Sequence, residues 1–453
     1  MLPEIFIQSL QGLPGFEEAA FKQVHEAGSQ ITSLRLNEYK PIQIHSHPFL
    51  ANTEAIPWCS SASYLKERPS FVLDPLWHAG AYYVQEASSM LLHYILTQIV
   101  PSPKNNKVLD LCAAPGGKST LLANYFKDGL VVANETIKSR NHILVENITK
   151  WGADHVVVTQ NDPAHFKSLP HFFDLMVVDA PCSGSGLFRK DPSAIEEWSL
   201  DNVQHCSVRQ ARILEDSLVT LKEGGYLIYA TCSYSYDEDE KIMDHIAALP
   251  GMVNIPLEMP KEWGVEACYS DKAKAKGFRA YPNKVKGEGF FITVFQKQVA
   301  ESPAYPVDDF KFNSLTKNEL LTMQSIFELP TNYFYLTHQN TIIAIPAYFK
   351  QDIQTILSHL YVRKMGLAIG EIKGKDLIPA HALAMSDWSN LPYQSTEVDL
   401  TTALQYLRRA DLHLPEGKGW QVLTYLNIRL GWVKLLPNRS NNYYPNEWRI
   451  LKY

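Results

Sequence analysis

Short apolar runs alternate with longer helix-compatible segments through the middle of the chain. The runs lie at residues 108–111, 130–134, 155–159, 173–179 and 226–231, and each has the length of a buried strand. Strands that alternate with helices in this way are typical of βαβ units, which form a parallel sheet covered on both faces. Ligands of such sheets bind outside the carboxyl ends of the strands. The pattern therefore predicts an α/β fold with its functional site at those ends.

The two ends of the chain have weaker patterns. Short helical patterns broken by Pro and polar residues precede the central domain. A Pro-rich stretch at 301–306 marks a boundary, and strand-like runs follow at 420–425 and 430–436. We predict an N-terminal region, a large central domain, a small α+β domain and a C-terminal β domain at residues 1–75, 76–298, 307–375 and 376–453.

The first central strand leads into a glycine pair and then into a helical segment. Gly116 and Gly117 allow close approach of a ligand, and the free N–H groups of a new helix point at that place. A nucleoside triphosphate loop would need a Gly where this chain has Cys112, and no G-x-G-x-x-G dinucleotide motif can be written. A ligand with its own adenosine and amino-acid groups remains, and S-adenosylmethionine fits.

Polar side chains follow each of the next four strands. Glu135 lies about 20 residues after the glycine pair, where an acid can bind both hydroxyls of a ribose. Asn161 and Asp162 follow the third strand and could accept a hydrogen bond from an adenine amino group. Asp179 and Cys232 end the fourth and fifth strands. A single such acid is most simply a helix cap or a solvated loop residue, but four aligned strand ends favour a site.

Cys182 and Cys232 each lie just past the end of one of two consecutive strands, so both can belong to one site. Carbon 5 of a pyrimidine is too weak a nucleophile to take a methyl group from a sulfonium unless a thiolate first adds to carbon 6. A second ionisable group can then assist release of the product. Zinc is a poor alternative, because Cys182, Cys206, Cys232 and His205 lack ligand-pair spacing.

Composition and charge narrow the class of protein only a little. The chain has 453 residues, a net charge of −6 and six Cys without a C-x-x-C pair. We expect a reduced, cytoplasmic protein with no membrane span and no metal. The negative charge argues mildly against nucleic acid, but residues 401–453 hold eight Lys and Arg against three Asp and Glu. This C-terminal excess of positive charge suits RNA.

Three segments resemble, in order, the core motifs of the Nop/Sun family of RNA 5-methylcytosine methyltransferases. They are 110–118, 179–184 and 231–233. The resemblance implies that Cys232 is the nucleophile, that Cys182 promotes release, and that Asp179 and Lys118 belong to the catalytic group. It places the S-adenosylmethionine contacts on Cys112, Ala113, Ala114, Pro115, Gly116, Gly117, Lys118, Glu135, Arg140, Asp162 and Asp179.

The resemblance extends beyond these motifs. Residues 74–89 look like the family's N-terminal motif, which implies that Tyr82, Tyr83, Gln85 and Ser88 line the substrate side. The turn after Cys182 is similar to a basic turn of the family, so Arg189 and Lys190 are expected to contact RNA phosphates.

The tail resembles the C-terminal extension of the bacterial small-subunit ribosomal RNA methyltransferase F type. That extension contains a β-barrel like those of pseudouridine synthases and archaeosine transglycosylases (PUA-like). The fold implied is a Rossmann-like class I methyltransferase sheet with a small N-terminal RNA-binding region and a C-terminal α+β and PUA-like extension.

The expected activity is methylation of carbon 5 of a cytosine in structured RNA by a monomeric enzyme, with 16S ribosomal RNA or the small ribosomal subunit as substrate. Two alternatives stay open. The same chemistry could act on transfer RNA, or the chain could be a ribosome-assembly factor that binds RNA without catalysis. The sequence does not separate the two RNAs, because RNA of this kind is recognised by shape.

Overall fold

The computed structural model describes residues 2–28, 30–42, 47, 49–299, 312–374 and 376–451. The Pro-rich boundary predicted at 301–306 lies outside the described residues. Within the described residues, no helix is long and apolar enough to cross a membrane. The strands of these residues form four sheets, three of four strands each and a central one of ten.

The N-terminal part is a four-stranded sheet with short helices. Its sheet has the order β2-β3-β1-β4, and all its neighbouring strands are antiparallel. Its strands are β1 (Thr32–Leu36), β2 (Glu54–Ala55), β3 (Ala62–Leu65) and β4 (Tyr82–Val84). Its helices are α1 (Glu4–Leu10), α2 (Glu18–Glu26), α3 (Pro75–His78) and α4 (Leu91–Ile99).

The central part alternates strands and helices as the hydrophobic pattern predicts. Its strands are β5 (Lys107–Asp110), β6 (Leu130–Asn134), β7 (Val156–Thr159), β8 (Phe173–Asp179), β9 (Leu221–Thr231), β10 (Met252–Asn254), β11 (Glu266–Tyr269), β12 (Lys276–Ala280) and β13 (Phe290–Lys297). Its helices are α5 (Gly117–Tyr125), α6 (Lys138–Trp151), α7 (Ser193–Glu197), α8 (Leu200–Ser217) and α9 (Glu240–Ala248).

The C-terminal part contributes the remaining elements. Its strands are β14 (Tyr333–His338), β15 (Thr341–Pro346), β16 (Val362–Lys364), β17 (Leu367–Lys373), β18 (Asp376–Pro379), β19 (Gln394–Glu397), β20 (Gly419–Tyr425), β21 (Ile428–Leu436) and β22 (Arg439–Asn442). Its helices are α10 (Lys317–Ile326), α11 (Lys350–His359), α12 (His381–Met385) and α13 (Leu400–Leu407).

The central sheet runs in the order β11-β12-β13-β9-β8-β5-β6-β7-β16, with β10 also paired to β13. Strands β7, β6, β5, β8 and β9 are parallel, and the others are antiparallel. Successive residues of the parallel strands pack on opposite faces: Val108 lies in one core cluster and Leu109 in the other. Because both faces are covered, the middle residues of these strands are apolar on both faces. The predicted Rossmann-like α/β class is confirmed.

Hydrogen bonding crosses the predicted unit boundaries in three places. Strand β4, expected in the central domain, pairs with β1 of the N-terminal sheet. Strand β16 pairs with β7 and so adds an edge to the central sheet. Strands β17 and β18 pair with each other across residue 375. Such pairings cross from one predicted unit to another, and the local hydrophobic pattern does not predict them.

The N-terminal and C-terminal parts share one hydrophobic core. Leu34 and Tyr82 from the first sheet lie in the same buried cluster as Tyr406, Leu423 and Tyr444. The hydroxyl of Tyr444 lies 3.3 Å from Nδ1 of His78 on α3. The two ends of the chain therefore pack against each other beside the central sheet.

Candidate active site

Two cavities meet at the carboxyl ends of the parallel strands. The first, of about 450 Å³, is lined by Glu135, Arg140, Asp162 and Cys182 among others, and we call it the Glu135 cavity. The second, of about 330 Å³, is lined by Tyr83, Gln85, Lys118, Lys190 and Glu288 among others, and we call it the Glu288 cavity. The side chains and loop residues common to both are Cys112, Ala114, Asp179, Leu187 and Cys232. The two cavities therefore adjoin at these residues, and we call this place the junction.

The glycine loop forms the wall between β5 and α5. Gly116 has a φ of 115°, which L side chains rarely adopt, and α5 begins at the next residue. Arg140 donates to the carbonyl of Ala114 at 2.7 Å, and Asn147 donates to that of Pro115 at 2.8 Å. Arg35 from β1 donates to the carbonyl of Gly117 at 3.2 Å. The loop is thus held in place by α6 on one side and by the N-terminal sheet on the other.

Two acids face the Glu135 cavity from neighbouring strand ends. Oε1 of Glu135 accepts from the backbone N–H of Ile137 at 2.8 Å, and its Oε2 lies 3.5 Å from Arg140. Oδ1 of Asp162 accepts from the N–H of Ala164 at 3.0 Å. In both carboxylates one oxygen is fixed by the backbone, while the side chain lines the cavity.

The adjacent Asn161 is not among the described residues that line this cavity. Its amide donates to the carbonyl of Tyr361 and accepts from the N–H of Tyr361. Tyr361 directly precedes β16, so these two hydrogen bonds tie the Asn161 side chain to the backbone of the C-terminal part. Of the two residues predicted to face an adenine, the structure leaves Asp162.

The two predicted cysteines come together at the junction of the cavities. Strands β8 and β9 are parallel neighbours, with Asp179 opposite Ala230. The Sγ atoms of Cys182 and Cys232 lie 3.0 Å apart. The hydrogen bond to Cys232, together with burial, raises the pKa of Cys182 well above its ordinary value. The two sulfur atoms are therefore in direct contact.

Gly186 allows the turn after Cys182 to approach the end of β9. Its N–H donates to the carbonyl of Cys232 at 2.7 Å. A Cβ atom at this position would lie 2.5 Å from that carbonyl oxygen and 2.7 Å from that of Gly289, closer than real Cβ contacts. A residue without a side chain is required here for the cysteine loops to meet.

Lys118 and Asp179 form an ion pair next to the cysteines. Nζ of Lys118 donates to Oδ2 of Asp179 at 2.6 Å and lies 5.1 Å from the ring centre of Phe290. Burial lowers the pKa of the Lys118 amine, but the Asp179 carboxylate outweighs it and the pKa is raised overall. The Lys118 amine therefore stays protonated, and its ammonium group and the Asp179 carboxylate lie together beside the junction.

Cys112 is the third thiol at the junction. Burial raises its pKa above the ordinary value, and the nearby Asp110 and Asp179 act in the same direction. A thiol in such surroundings is a poor nucleophile. Its side chain lines both cavities, so it contributes shape rather than a thiolate.

The residues predicted to face the substrate divide into two groups. Tyr83 and Gln85 line the Glu288 cavity. Tyr82 and Ser88 are buried in the packing instead: the Tyr82 hydroxyl donates to Asp74, and the Ser88 hydroxyl donates to the carbonyl of Glu288. The alternation of a strand turns neighbouring tyrosines to opposite sides.

The predicted phosphate contacts are corrected in the same way. Lys190 lines the Glu288 cavity. Arg189 points inward, where its side chain is 3% exposed, donates to the carbonyl of Gly287 and lies 3.4 Å from Oε2 of Glu288. A guanidinium buried in this way cannot reach a phosphate on an RNA surface, so of the two basic residues only Lys190 fits the expectation.

Two buried carboxylates near the junction were not predicted from the sequence. Glu288 is 2% exposed and lines its cavity, and burial raises the pKa of its carboxyl to about 7. Glu238 is fully buried and binds both cysteine loops. The one available signal was the acidic run at 237–240, which is separated by three residues from the Thr-Cys-Ser segment and is typical of a solvated surface. Within the described residues no group of three or more His, Cys, Asp and Glu side chains could hold a metal ion.

Comparison with known families matches three stretches of the chain. The model described as 16S rRNA methyltransferase RsmB/F matches residues 97–296. The N-terminal domain of 16S rRNA methyltransferase RsmF matches residues 2–87, and the methyltransferase RsmF PUA domain matches residues 393–450.

Individual proteins match over most of the chain. Ribosomal RNA small subunit methyltransferase F from Vibrio cholerae serotype O1 is 30% identical over 413 residues, which are 86% of this chain and 85% of that protein. The protein of the same name from Shewanella woodyi is 29% identical, covering 92% and 90%. A solved methyltransferase homologue from Pyrococcus horikoshii is 27% identical with a TM-score of 0.55, covering 65% and 95%.

Proposed function

Because the chain belongs to the ribosomal RNA small subunit methyltransferase F family and uses S-adenosylmethionine, we propose that it methylates carbon 5 of a cytosine in 16S ribosomal RNA. The observation that carries this proposal is the pair of thiols 3.0 Å apart at the junction of two cavities. Transfer to a nitrogen or an oxygen needs no thiol. Transfer to a pyrimidine carbon needs one nucleophile and benefits from a second group.

The Glu135 cavity fits the cofactor. Glu135 suits the ribose hydroxyls and Asp162 suits the adenine amino group. Cys112 and Ala114, the residues of the glycine loop that line this cavity, suit the methionine end, and Arg140 holds the carbonyl of Ala114. S-adenosylmethionine supplies an electrophilic methyl group bonded to a sulfonium. The shared residues Asp179 and Cys232 support delivery of that group to the Glu288 cavity, where the target base would bind.

The Cys232 sulfur forms a bond to carbon 6 of the base, and the electron pair of the carbon 5–carbon 6 double bond becomes available at carbon 5. The Lys118 ammonium stabilises the negative charge that develops on the ring, and the Asp179 carboxylate, 2.6 Å from it, holds the ammonium in place beside the Glu288 cavity. After carbon 5 is methylated, a water molecule takes its proton, the C–H electron pair re-forms the carbon 5–carbon 6 double bond, and the carbon 6–sulfur bond breaks to release the Cys232 thiolate. Cys182 assists this release from 3.0 Å away.

A role as a ribosome-assembly factor without catalysis is the weaker candidate. Lys118, Asp179, Cys182 and Cys232 are all present and in mutual reach at one junction. A protein that only binds RNA gains nothing from two thiols in a buried cleft. Ribosomal RNA is favoured over transfer RNA because the relatives that match most of the chain carry small-subunit ribosomal RNA in their names.

Bisulfite sequencing of RNA from cells that lack this protein tests the proposal. One cytosine of 16S ribosomal RNA is expected to lose its protection from conversion, and the gene restored in trans should recover it. Loss of protection in transfer RNA alone would show that transfer RNA, and not 16S ribosomal RNA, is the substrate. An unchanged pattern in both RNAs would contradict methylation of RNA cytosines.

Removal of the Glu135 carboxylate is expected to weaken cofactor binding. Hydrogen bonds to a charged group contribute about 1.5–3 kcal/mol, so Glu135→Ala should raise the Kd for S-adenosylmethionine about 10- to 100-fold. Isothermal titration calorimetry measures this directly. The matched control is Glu223→Ala, an exposed acid near the opposite end of β9, which should leave the Kd unchanged. An equal Kd for wild type and Glu135→Ala would remove Glu135 from the cofactor site.

A further inference from the structure

We propose that Glu238 is a positioning residue that fixes the two thiols relative to each other during the reaction. The inference rests on the proposed function, because it concerns how Cys182 and Cys232 act on one base. Glu238 is not among the described residues that line either cavity. Any effect it has on the chemistry must therefore pass through its neighbours.

The carboxylate of Glu238 binds the loop that carries Cys182. Oε1 accepts from the backbone N–H of Ser183 at 2.8 Å, and Oε2 accepts from the hydroxyl of Ser183 at 2.5 Å. Gln210 on α8 donates to Oε1 at 3.1 Å and also to the carbonyl of Pro181 at 3.1 Å. The residues on both sides of Cys182 are thus tied to Glu238, directly or through Gln210.

The same carboxylate binds the loop that carries Cys232. Oε2 accepts from the hydroxyl of Ser233 at 2.6 Å. That hydroxyl also accepts from the N–H of Ser235 at 3.0 Å, which closes the turn after β9. Ser183 and Ser233 each directly follow one of the two cysteines, so a single side chain joins both loops.

The surroundings hold Glu238 itself in place. Its backbone carbonyl accepts from the hydroxyl of Tyr229 at 2.8 Å, inside β9. The neighbouring Asp239 accepts from the hydroxyl of Thr231 at 2.7 Å and lies 3.0 Å from Arg279 on β12. Glu238 and Asp239 are both completely buried. This fixed carboxylate can transmit the geometry of the sheet to the two sulfur atoms.

The chemistry needs such a constraint. The Cys232 sulfur must reach carbon 6 of the base while the Cys182 sulfur stays close enough to assist release. Catalytic groups have to be held within about 0.5 Å of the productive geometry, and a misplacement of about 1 Å can cost about 100-fold in rate. Four hydrogen bonds to one carboxylate set both loops at once, which separate contacts to each loop would not do.

The test compares Glu238→Ala with the conservative Glu238→Gln. Glu238→Ala is expected to lower kcat about 100-fold, with the KM for RNA and the Kd for S-adenosylmethionine within about 2-fold of wild type. Glu238→Gln should stay within about 10-fold of wild type, because the hydroxyls of Ser183 and Ser233 can turn to accept from an amide. In a Cys182→Ala background, where a covalent RNA adduct accumulates, Glu238→Ala should slow adduct formation by a similar factor.

The matched control is Asp174→Ala, a partly buried acid that also joins two segments, because it accepts from the N–H of Lys107 and from Lys222 at the amino end of β8, opposite Asp179. It should lose thermal stability but keep its kcat per folded molecule. If Glu238→Ala behaves like this control, with a lower Tm and an unchanged kcat, Glu238 is merely structural and the proposal is wrong.

Two further variants test the same constraint if Glu238→Ala does not fold. Ser183→Ala combined with Ser233→Ala removes the side-chain donors and should reproduce the loss of kcat, and adding Glu238→Gln should cost little more. If Glu238→Gln instead lowered kcat further by its full separate effect, the serines and Glu238 would act independently and the proposal would be wrong. Failure of the proposed function is distinguishable, since the Cys182→Ala protein would then form no adduct even with Glu238 intact.

Discussion

Cys232→Ala is expected to abolish methylation, with a fall in kcat of about 10⁴-fold or more. Without the sulfur, nothing adds to carbon 6, and carbon 5 cannot become nucleophilic enough to accept a methyl group. Binding of S-adenosylmethionine should persist, because Cys232 borders the cofactor cavity only at the junction. Transfer of tritiated methyl groups to RNA, together with calorimetry of cofactor binding, measures both effects.

Cys206→Ala provides the matched control for this substitution. Cys206 is a buried thiol on α8 and is not among the described residues that line either cavity. Its loss should cost at most a few-fold in activity. Retention of more than about one hundredth of wild-type activity by Cys232→Ala would show that another group is the nucleophile.

Cys182→Ala is expected to trap the enzyme on its RNA. The Cys232 sulfur can still add to the base, but the group that assists elimination is missing, so turnover should fall about 10²- to 10⁴-fold. The adduct should survive denaturing electrophoresis as a band of higher mass that contains both protein and RNA. RNase treatment should return the protein to its original mobility.

The double variant Cys182→Ala and Cys232→Ala is the control, and it should form no adduct. An adduct that forms with Cys232→Ala but not with Cys182→Ala would reverse the two roles. The proposed roles follow the resemblance of residues 179–184 and 231–233 to the family motifs, and the adduct pattern of the two single variants tests them directly.

Much of the molecule could be predicted because its signals are local. The strands at 130–134 and 173–179 are observed at the predicted residues, since a strand buried on both faces carries a run of apolar residues. The family and the cofactor followed from the residues around Gly116, Cys182 and Cys232, and both are confirmed. The meeting of the two cysteines also followed, because parallel neighbours end at one edge of a sheet.

Other features needed the tertiary structure, because contacts between distant segments decide them. Asn161 and Asp162 are equivalent in sequence, and only the strand that begins 200 residues later turns Asn161 away from the cavity. Arg189 is basic, and only the nearness of Glu288 turns it inward. The acidic run at 237–240 is typical of a solvated surface, yet Glu238 is buried between the two cysteine loops.

The sequence by itself thus determined the helices and strands of the central sheet. It also determined which polar residues end those strands and that two cysteines lie at neighbouring strand ends. The tertiary structure alone decided which side chains face the cavities and what holds the sulfur atoms 3.0 Å apart. The physical reason is range. Propensity and apolar periodicity act within one element, whereas burial and hydrogen bonding depend on whichever segment the fold brings alongside.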